Sequence, residues 1–132
     1  MTTKHANKKC IVWISQCWGE IGKHDIEKRQ QSILKYINNN TNLIVVAHPR
    51  DKINKYEHYN YLNTLVDFKN YTTQNGMPSL VLGFSSSALL ELKDLNYNVK
   101  IFNEPLVEKL IENDLEFSSL DRVNFKNITN FF

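Results

Sequence analysis

The sequence predicts an α/β domain in which helices cover both faces of a parallel β-sheet. Its predicted strands are continuously apolar instead of alternating, which is typical of strands buried on both faces. Segments whose apolar residues recur at helical spacing separate these strands, as in parallel α/β folds. The 132 residues suffice for one such domain.

The first strand is predicted over Cys10–Ser15, because the run is rich in β-branched and aromatic residues. Gly19 and Gly22 then indicate a loop. Asp25 is the predicted N-cap of a helix with an apolar stripe, and the asparagines at 38–40 end that helix.

The second strand is predicted over Leu43–Ala47, and the following His48-Pro49 pair ends it because proline cannot donate to a sheet. The segment 52–75 is ambiguous. Within it, Thr64–Phe68 is compatible with a short strand or with the end of a helix, and Asn75-Gly76 indicates a turn.

A third buried strand is predicted over Ser79–Phe84, and the serines that follow it open a helix. Val99–Phe102 is a further short strand. Pro105 suits the first turn of a helix that runs to about Glu116. We therefore divide the chain into an arm (1–9), a domain (10–116) and a tail (117–132) that either packs back or forms a partner surface.

Composition excludes several classes of protein. Hydrophobic residues make up 42% and charged residues 23%, which argues against a wholly disordered chain. The net charge of +2 gives no indication of nucleic-acid binding. No run approaches the roughly 18 apolar residues of a membrane span. Cys10 and Cys17 cannot form a disulfide framework, and the histidines and cysteines lack metal-site spacing, so we predict neither metal nor cofactor.

Polar clusters follow three of the predicted strands: Ser15-Gln16, His48-Pro49-Arg50-Asp51 and Ser85-Ser86-Ser87. Ligands bind at the carboxyl ends of parallel strands, so we expect these clusters to meet at one edge of the sheet. Free N–H groups at the start of the helix that the serines open favour an anion, and His48 and Arg50 add donors that can carry positive charge. Together these groups suit a phosphate, with Ser15 and Gln16 at the edge of the pocket.

Simpler interpretations stay open for each of these features. Serines at a helix start commonly act only as caps, and a His-Pro pair after a strand commonly forms a turn. Trp18 either stacks on a nucleobase or packs in the core. Tyr56, Tyr59 and Tyr61 either line the cleft or are half-buried at the surface.

Three stretches resemble the donor-binding half of bacterial sialyltransferases. The His-Pro motif of these enzymes is similar to Leu43-Ile-Val-Val-Ala-His-Pro-Arg-Asp51, and their Ser-Ser/Thr motif is similar to Ser79-Leu-Val-Leu-Gly-Phe-Ser-Ser-Ser-Ala-Leu-Leu90. Their first strand and loop are similar to Ile11-Val-Trp-Ile-Ser-Gln-Cys-Trp-Gly-Glu20. The families are the lipooligosaccharide sialyltransferases and the capsule polysialyltransferases, and the resemblance spans about residues 10–102.

The resemblance implies a GT-B architecture of two Rossmann-like domains, of which this chain would be one. It implies CMP-sialic acid as donor, a glycan hydroxyl as acceptor, inverting transfer and no metal. His48 would contact the CMP phosphate and help the leaving group depart, and Ser85-Ser86 or Ser86-Ser87 would hold the same phosphate. Arg50 would add positive charge or pair with Asp51. We expect a cytoplasmic protein, either free or peripheral to the inner membrane.

The chain also departs from this family. It lacks the acidic Asp/Glu-Asp/Glu-Gly motif that supplies the general base from the acceptor domain, and Asp67 is only a candidate for the acidic residue that binds the ribose. We therefore expect a fragment, a truncated gene product or one half of a split enzyme, in which a missing domain supplies the glycan acceptor. By itself the chain would bind a nucleotide without transferring sugar.

A function from another class is also compatible with the sequence. The chain could be a non-catalytic Rossmann-like module that dimerises or docks on a partner subunit through Phe131-Phe132. A flavodoxin-like or receiver-like regulator fits less well, because Ser15-Gln16 stands where a receiver has paired acidic residues.

Overall fold

A computed structural model describes residues 8–52 and 54–132. The arm expected over 1–9 therefore lies outside the described residues, apart from Lys8 and Lys9. The backbone oxygen of Lys9 accepts a hydrogen bond from Thr41 Oγ1 at 2.6 Å. The start of the described chain is thus tied to the end of the first helix.

The described residues form helices and strands in alternation along most of the chain. The strands are β1 (Cys10–Ile14), β2 (Asn42–Val46), β3 (Asn60–Leu62), β4 (Leu80–Gly83), β5 (Val99–Phe102) and β6 (Arg122–Val123). The helices are α1 (His24–Asn40), α2 (Leu65–Asn75), α3 (Ser87–Asp94), α4 (Pro105–Ile111) and α5 (Leu115–Ser118), and Ile128–Phe131 adds a 3-10 turn.

All neighbouring strands of the described sheet are parallel, in the order β3-β2-β1-β4-β5-β6. The chain runs outward from β1 through β2 to β3, then crosses to β4 and runs outward in the other direction. This order is that of a Rossmann-like fold, so the predicted α/β class is confirmed. The strand order reverses between β1 and β4, and ligands of such sheets bind outside the carboxyl ends at this reversal.

Helices bury apolar residues on both faces of the sheet. On one face Trp13 and Leu82 of the sheet pack with Leu34 of α1. On the other face Val12 packs with Phe68 of α2 and Leu89 of α3. The strands are therefore buried on both sides, which explains their continuous apolar runs.

The predicted strands agree with β1, β2, β4 and β5 to within one or two residues. The short edge strand β3 was not predicted. Thr64–Phe68 is neither a strand nor the end of a helix, because Thr64 is the N-cap of α2 and its Oγ1 accepts from the Asp67 N–H at 3.0 Å. Asn75 and Gly76 end that helix.

Two helix boundaries also differ from prediction. Asp25 is not an N-cap, because α1 begins at His24 and Lys23 occupies the cap position. Asp25 lies in the first turn, where a negative charge favours the helix. The helix predicted to reach Glu116 ends at Ile111, and Asp114 caps the separate helix α5 by accepting from the Phe117 N–H at 3.1 Å.

The tail packs back on the sheet. Its strand β6 pairs with β5, and Ile128 is fully buried in the α1-side core. Phe125 packs edge-on against Phe102 with ring centroids 5.1 Å apart, and Phe132 contacts Tyr36. Within 8–52 and 54–132, no helix has the length and apolar character needed to cross a membrane.

Candidate functional site

Two of the predicted clusters meet at the reversal of strand order. Gln16 follows β1 and Ser85 follows β4, and these neighbouring strands end side by side. The Ser85 N–H donates to Gln16 Oε1 at 3.0 Å, and the Gln16 amide nitrogen donates to Ser85 Oγ at 3.3 Å. Gln16 therefore cross-links the loops that leave the two central strands.

The other strand-end cluster is joined to β1 through a buried carboxylate. Asp51 Oδ2 accepts from Ser15 Oγ at 2.9 Å and from the His48 N–H at 2.8 Å. Ser15 is itself buried. Ser15 therefore holds the loop after β2 in place, and its hydroxyl already donates to Asp51.

The His48 ring is oriented by its own loop. Its Nδ1 accepts a hydrogen bond from the Arg50 N–H at 3.0 Å, so the proton of a neutral ring lies on Nε2. The Arg50 side chain is exposed, and within the described residues its guanidinium has no ion-pair partner. Asp51 pairs with Lys55 instead of Arg50, with Nζ and Oδ1 2.8 Å apart. One oriented N–H and one free cation are thus adjacent.

The three serines have different positions. Ser86 is the N-cap of α3, and its Oγ accepts from the Ala88 N–H at 3.2 Å. Ser87 is exposed at the first position of the helix, and Ser85 binds Gln16. Ser86 therefore acts as a helix cap, while Ser85 contacts Gln16 of the cluster that follows β1.

Two clefts lie on either side of His48. The first, which we call the Trp18 cleft, has a volume of about 450 Å³ and is lined by Gln16, Cys17, Trp18, Ile21, His48 and Arg50. The second, which we call the Tyr61 cleft, has a volume of about 230 Å³ and is lined by Ala47, His48, Pro49, Asp51, Lys52, Tyr56, Tyr61 and Asn63. His48 is therefore the wall that the two clefts share.

Trp18 packs in the core. It is buried, and its ring packs against Phe84 with centroids 6.3 Å apart. Its Nε1–H has no hydrogen-bond partner among the described residues, although it is buried. A buried donor without a partner costs folding free energy, and this one belongs to a residue that lines a cleft.

A buried ionic cluster that sequence reasoning missed lies beside the site. Lys55 Nζ lies 2.8 Å from Asp51 Oδ1 and 2.9 Å from Glu20 Oε1, and it also contacts Glu27 Oε1. Burial alone would lower the pKa of Lys55, but hydrogen bonds to the three carboxylates hold this pKa well above its usual range. For Glu20, burial opposes ionisation, but the Lys55 contact brings its pKa below the ordinary value.

A second buried network connects the same loops to α1. Tyr56 shares a hydrogen bond with Ser15 Oγ, and burial raises the pKa of the phenol, an increase that this hydrogen bond only partly offsets. Gln30 of α1 accepts from Trp13 Nε1 at 2.9 Å and donates to the backbone oxygen of Gln16 at 3.3 Å. The loops after β1 and β2 are thus fixed before any ligand binds.

The remaining predicted residues divide between buried and accessible positions. Tyr56 is buried, Tyr59 is half-buried, and Tyr61 is exposed at its cleft. Asp67 is exposed in the first turn of α2. In the part of the chain that the structure describes, no three His, Cys, Asp or Glu side chains are grouped to hold a metal ion.

Comparisons with known proteins identify no relative. No family model, no curated protein and no solved structure matches the chain.

Proposed function

We propose that this chain is the nucleotide-sugar-binding domain of a sialyltransferase-like glycosyltransferase, with CMP-sialic acid as its donor. The observation that carries the proposal is the position of His48 between two clefts at the carboxyl edge of the sheet, with Nε2 as the nitrogen left to donate. The exposed guanidinium of Arg50 beside it supplies a positive charge. An N–H donor and a free cation suit a phosphate.

In this proposal His48 Nε2–H donates to the CMP phosphate. Negative charge grows on that phosphate as CMP departs, and a donor already in position stabilises it without reorganisation. Gln16 and Ser85 keep the loops after β1 and β4 together, so the phosphate meets a fixed edge. The base that activates the acceptor hydroxyl would come from another domain.

Calorimetric titration with CMP and CMP-sialic acid, with UDP and GDP as controls, tests the proposal. Loss of one charge-assisted hydrogen bond costs about 1.5–3 kcal/mol, so we expect His48→Ala to weaken CMP binding about 10- to 150-fold. His58→Ala is the matched control, because His58 is an exposed histidine of the neighbouring turn. No nucleotide binding by the folded chain, or equal effects of both substitutions, would refute the proposal.

The alternative function is a non-catalytic module that docks on a partner. Phe131 and Phe132 are packed against the α1-side core, so they are partly occupied. Exposed apolar residues in the loop before α1 and on α4 favour this alternative: Ile21, Leu106 and Leu110. A mass that rises with concentration, together with no nucleotide affinity, would favour it over the first proposal.

A further inference from the structure

The Tyr61 cleft differs in chemistry from the Trp18 cleft. Tyr61 lies on the edge strand β3, paired in register with Val45, and its residue surface is 38% exposed. Strand β3 is at the edge of the sheet, so no further strand flanks Tyr61 in the described sheet. The cleft therefore offers an accessible aromatic ring a short way from His48.

Besides Tyr61, the exposed residues that line this cleft are Pro49, Lys52 and Asn63. Asn63 is exposed, and within residues 8–52 and 54–132 its side chain makes no hydrogen bond. Its amide offers both a donor and an acceptor. An aromatic face beside an amide is a combination that binds a planar ring by stacking and reads its edge by hydrogen bonds.

The Trp18 cleft suits a different part of a ligand. It has about twice the volume of the Tyr61 cleft, about 450 Å³ against about 230 Å³. Its accessible groups are the apolar Ile21 and the cationic Arg50. Both clefts have an exposed cation, Arg50 here and Lys52 in the Tyr61 cleft, so it is the larger volume of the Trp18 cleft that suits a bulky sugar better than a flat ring.

We infer that the Tyr61 cleft is the nucleobase subsite, in which a pyrimidine ring stacks on Tyr61 and its polar edge pairs with Asn63. The phosphate lies at His48, and the sugar extends into the Trp18 cleft. This inference rests on the proposed function and assigns the two ends of its ligand. It adds a residue pair that the strand-end clusters do not contain.

Titration of the wild-type chain with CMP, cytidine and ribose 5-phosphate separates the base from the phosphate. We expect CMP to bind more tightly than ribose 5-phosphate, because only CMP has a ring to stack. Stacking of one base on an aromatic side chain corresponds to about 5- to 150-fold in affinity. Tyr61→Ala should therefore weaken CMP binding by this factor and leave the affinity for ribose 5-phosphate unchanged. Tyr61→Phe should bind CMP with an affinity within about twofold of wild type.

The outcomes distinguish this inference from the proposed function. If CMP and ribose 5-phosphate bind equally, or if Tyr61→Ala leaves CMP binding unchanged, the base subsite is wrong while the phosphate site stands. If neither ligand binds, the proposed function fails and the subsite fails with it. Because Tyr61 belongs to a strand, Tyr61→Ala must show the wild-type circular dichroism spectrum. On the wild-type chain, nuclear Overhauser contacts between cytosine ring protons and Tyr61 test the same point without a substitution.

Discussion

Removal of the Lys55 charge should destabilise the protein strongly. The Lys55 side chain is 12% exposed and the Asp51 side chain only 2%, so their ion pair is largely shielded from water. Glu20 and Glu27 contact the same ammonium group. Lys55→Met keeps the length of the side chain but leaves three carboxylates together without a positive charge.

The expected cost follows from this burial. Breaking a buried ion pair by removing one partner costs about 3–5 kcal/mol, because a charge remains buried without compensation. For a chain of this length we expect the melting temperature to fall by about 10–20 °C. Lys69→Met is the matched control, because Lys69 and Glu91 form an exposed pair with side chains 37% and 52% accessible. That substitution should cost about 1 kcal/mol or less.

Thermal and denaturant unfolding at pH 7 and at pH 4 give a test that packing alone cannot mimic. In wild type the Glu20 pKa lies below its ordinary value of 4.5, so its contribution to stability is present above pH 4.5 and is lost as the pH falls. In Lys55→Met the crowded carboxylates repel, and their protonation at low pH relieves the variant. Both effects should reduce the difference in the free energy of unfolding between wild type and Lys55→Met as the pH falls.

Two results would refute this reasoning. The first is a cost for Lys55→Met no larger than that of Lys69→Met, which would mean that solvent already screens the cluster. The second is an equal stability difference at pH 7 and pH 4, which would assign the loss to packing of the lysine stem and not to charge.

Two further predictions concern buried positions of the sheet. A Cβ on Gly83 would lie 3.0 Å from the Ile14 backbone oxygen and 3.1 Å from Leu89 Cδ1, so Gly83→Ala should cost about 1–3 kcal/mol in denaturant unfolding. Leu89→Ala itself costs about 2–5 kcal/mol because Leu89 is fully buried, but in that background Gly83→Ala should cost less than it does in wild type. A neutral Gly83→Ala would contradict the contact. Burial raises the pKa of the Cys10 thiol from 9.0 to about 11. As the pH rises, the thiol therefore ionises in the unfolded chain before it ionises in the folded protein. The contribution of the neutral thiol to the free energy of unfolding is present below pH 9 and is lost as the pH rises to about 11. Over this pH range the free energy of unfolding of wild type should therefore fall by about 2 kcal/mol more than that of Cys10→Ala. Parallel pH profiles of the two proteins would show that ionisation of Cys10 does not cause the loss.

The central strands were predictable because burial on both faces leaves a continuous apolar run. The edge strand β3 has no such run, because it has only three residues and none of them is fully buried. Helix α2 also lacks an apolar stripe, since only Phe68 and Thr72 are buried along it. Elements at the margin of the sheet bury little, so their sequences carry little periodic signal.

The convergence of the strand ends that carry the candidate site was also predictable. Ser15, Gln16, His48 and Ser85 follow strands whose parallel arrangement could be inferred, and the structure brings them to one edge. The partners that hold them could not be inferred, because no periodic pattern marks them. Lys55 lies in an irregular turn and reaches carboxylates far away in the chain, a contact that depends on the tertiary fold.

Asp51 has the central position in this arrangement. It binds Ser15 below it, the His48 backbone beside it and the Lys55 ammonium, so one buried carboxylate connects the ends of β1 and β2. The His48 backbone is therefore fixed by the protein, and its ring is oriented by the Arg50 N–H. The Arg50 guanidinium and the Tyr61 ring remain accessible on either side. Such a site combines a rigid central donor with adaptable groups at its ends, which suits a ligand whose phosphate must be placed accurately while its two ends differ in shape.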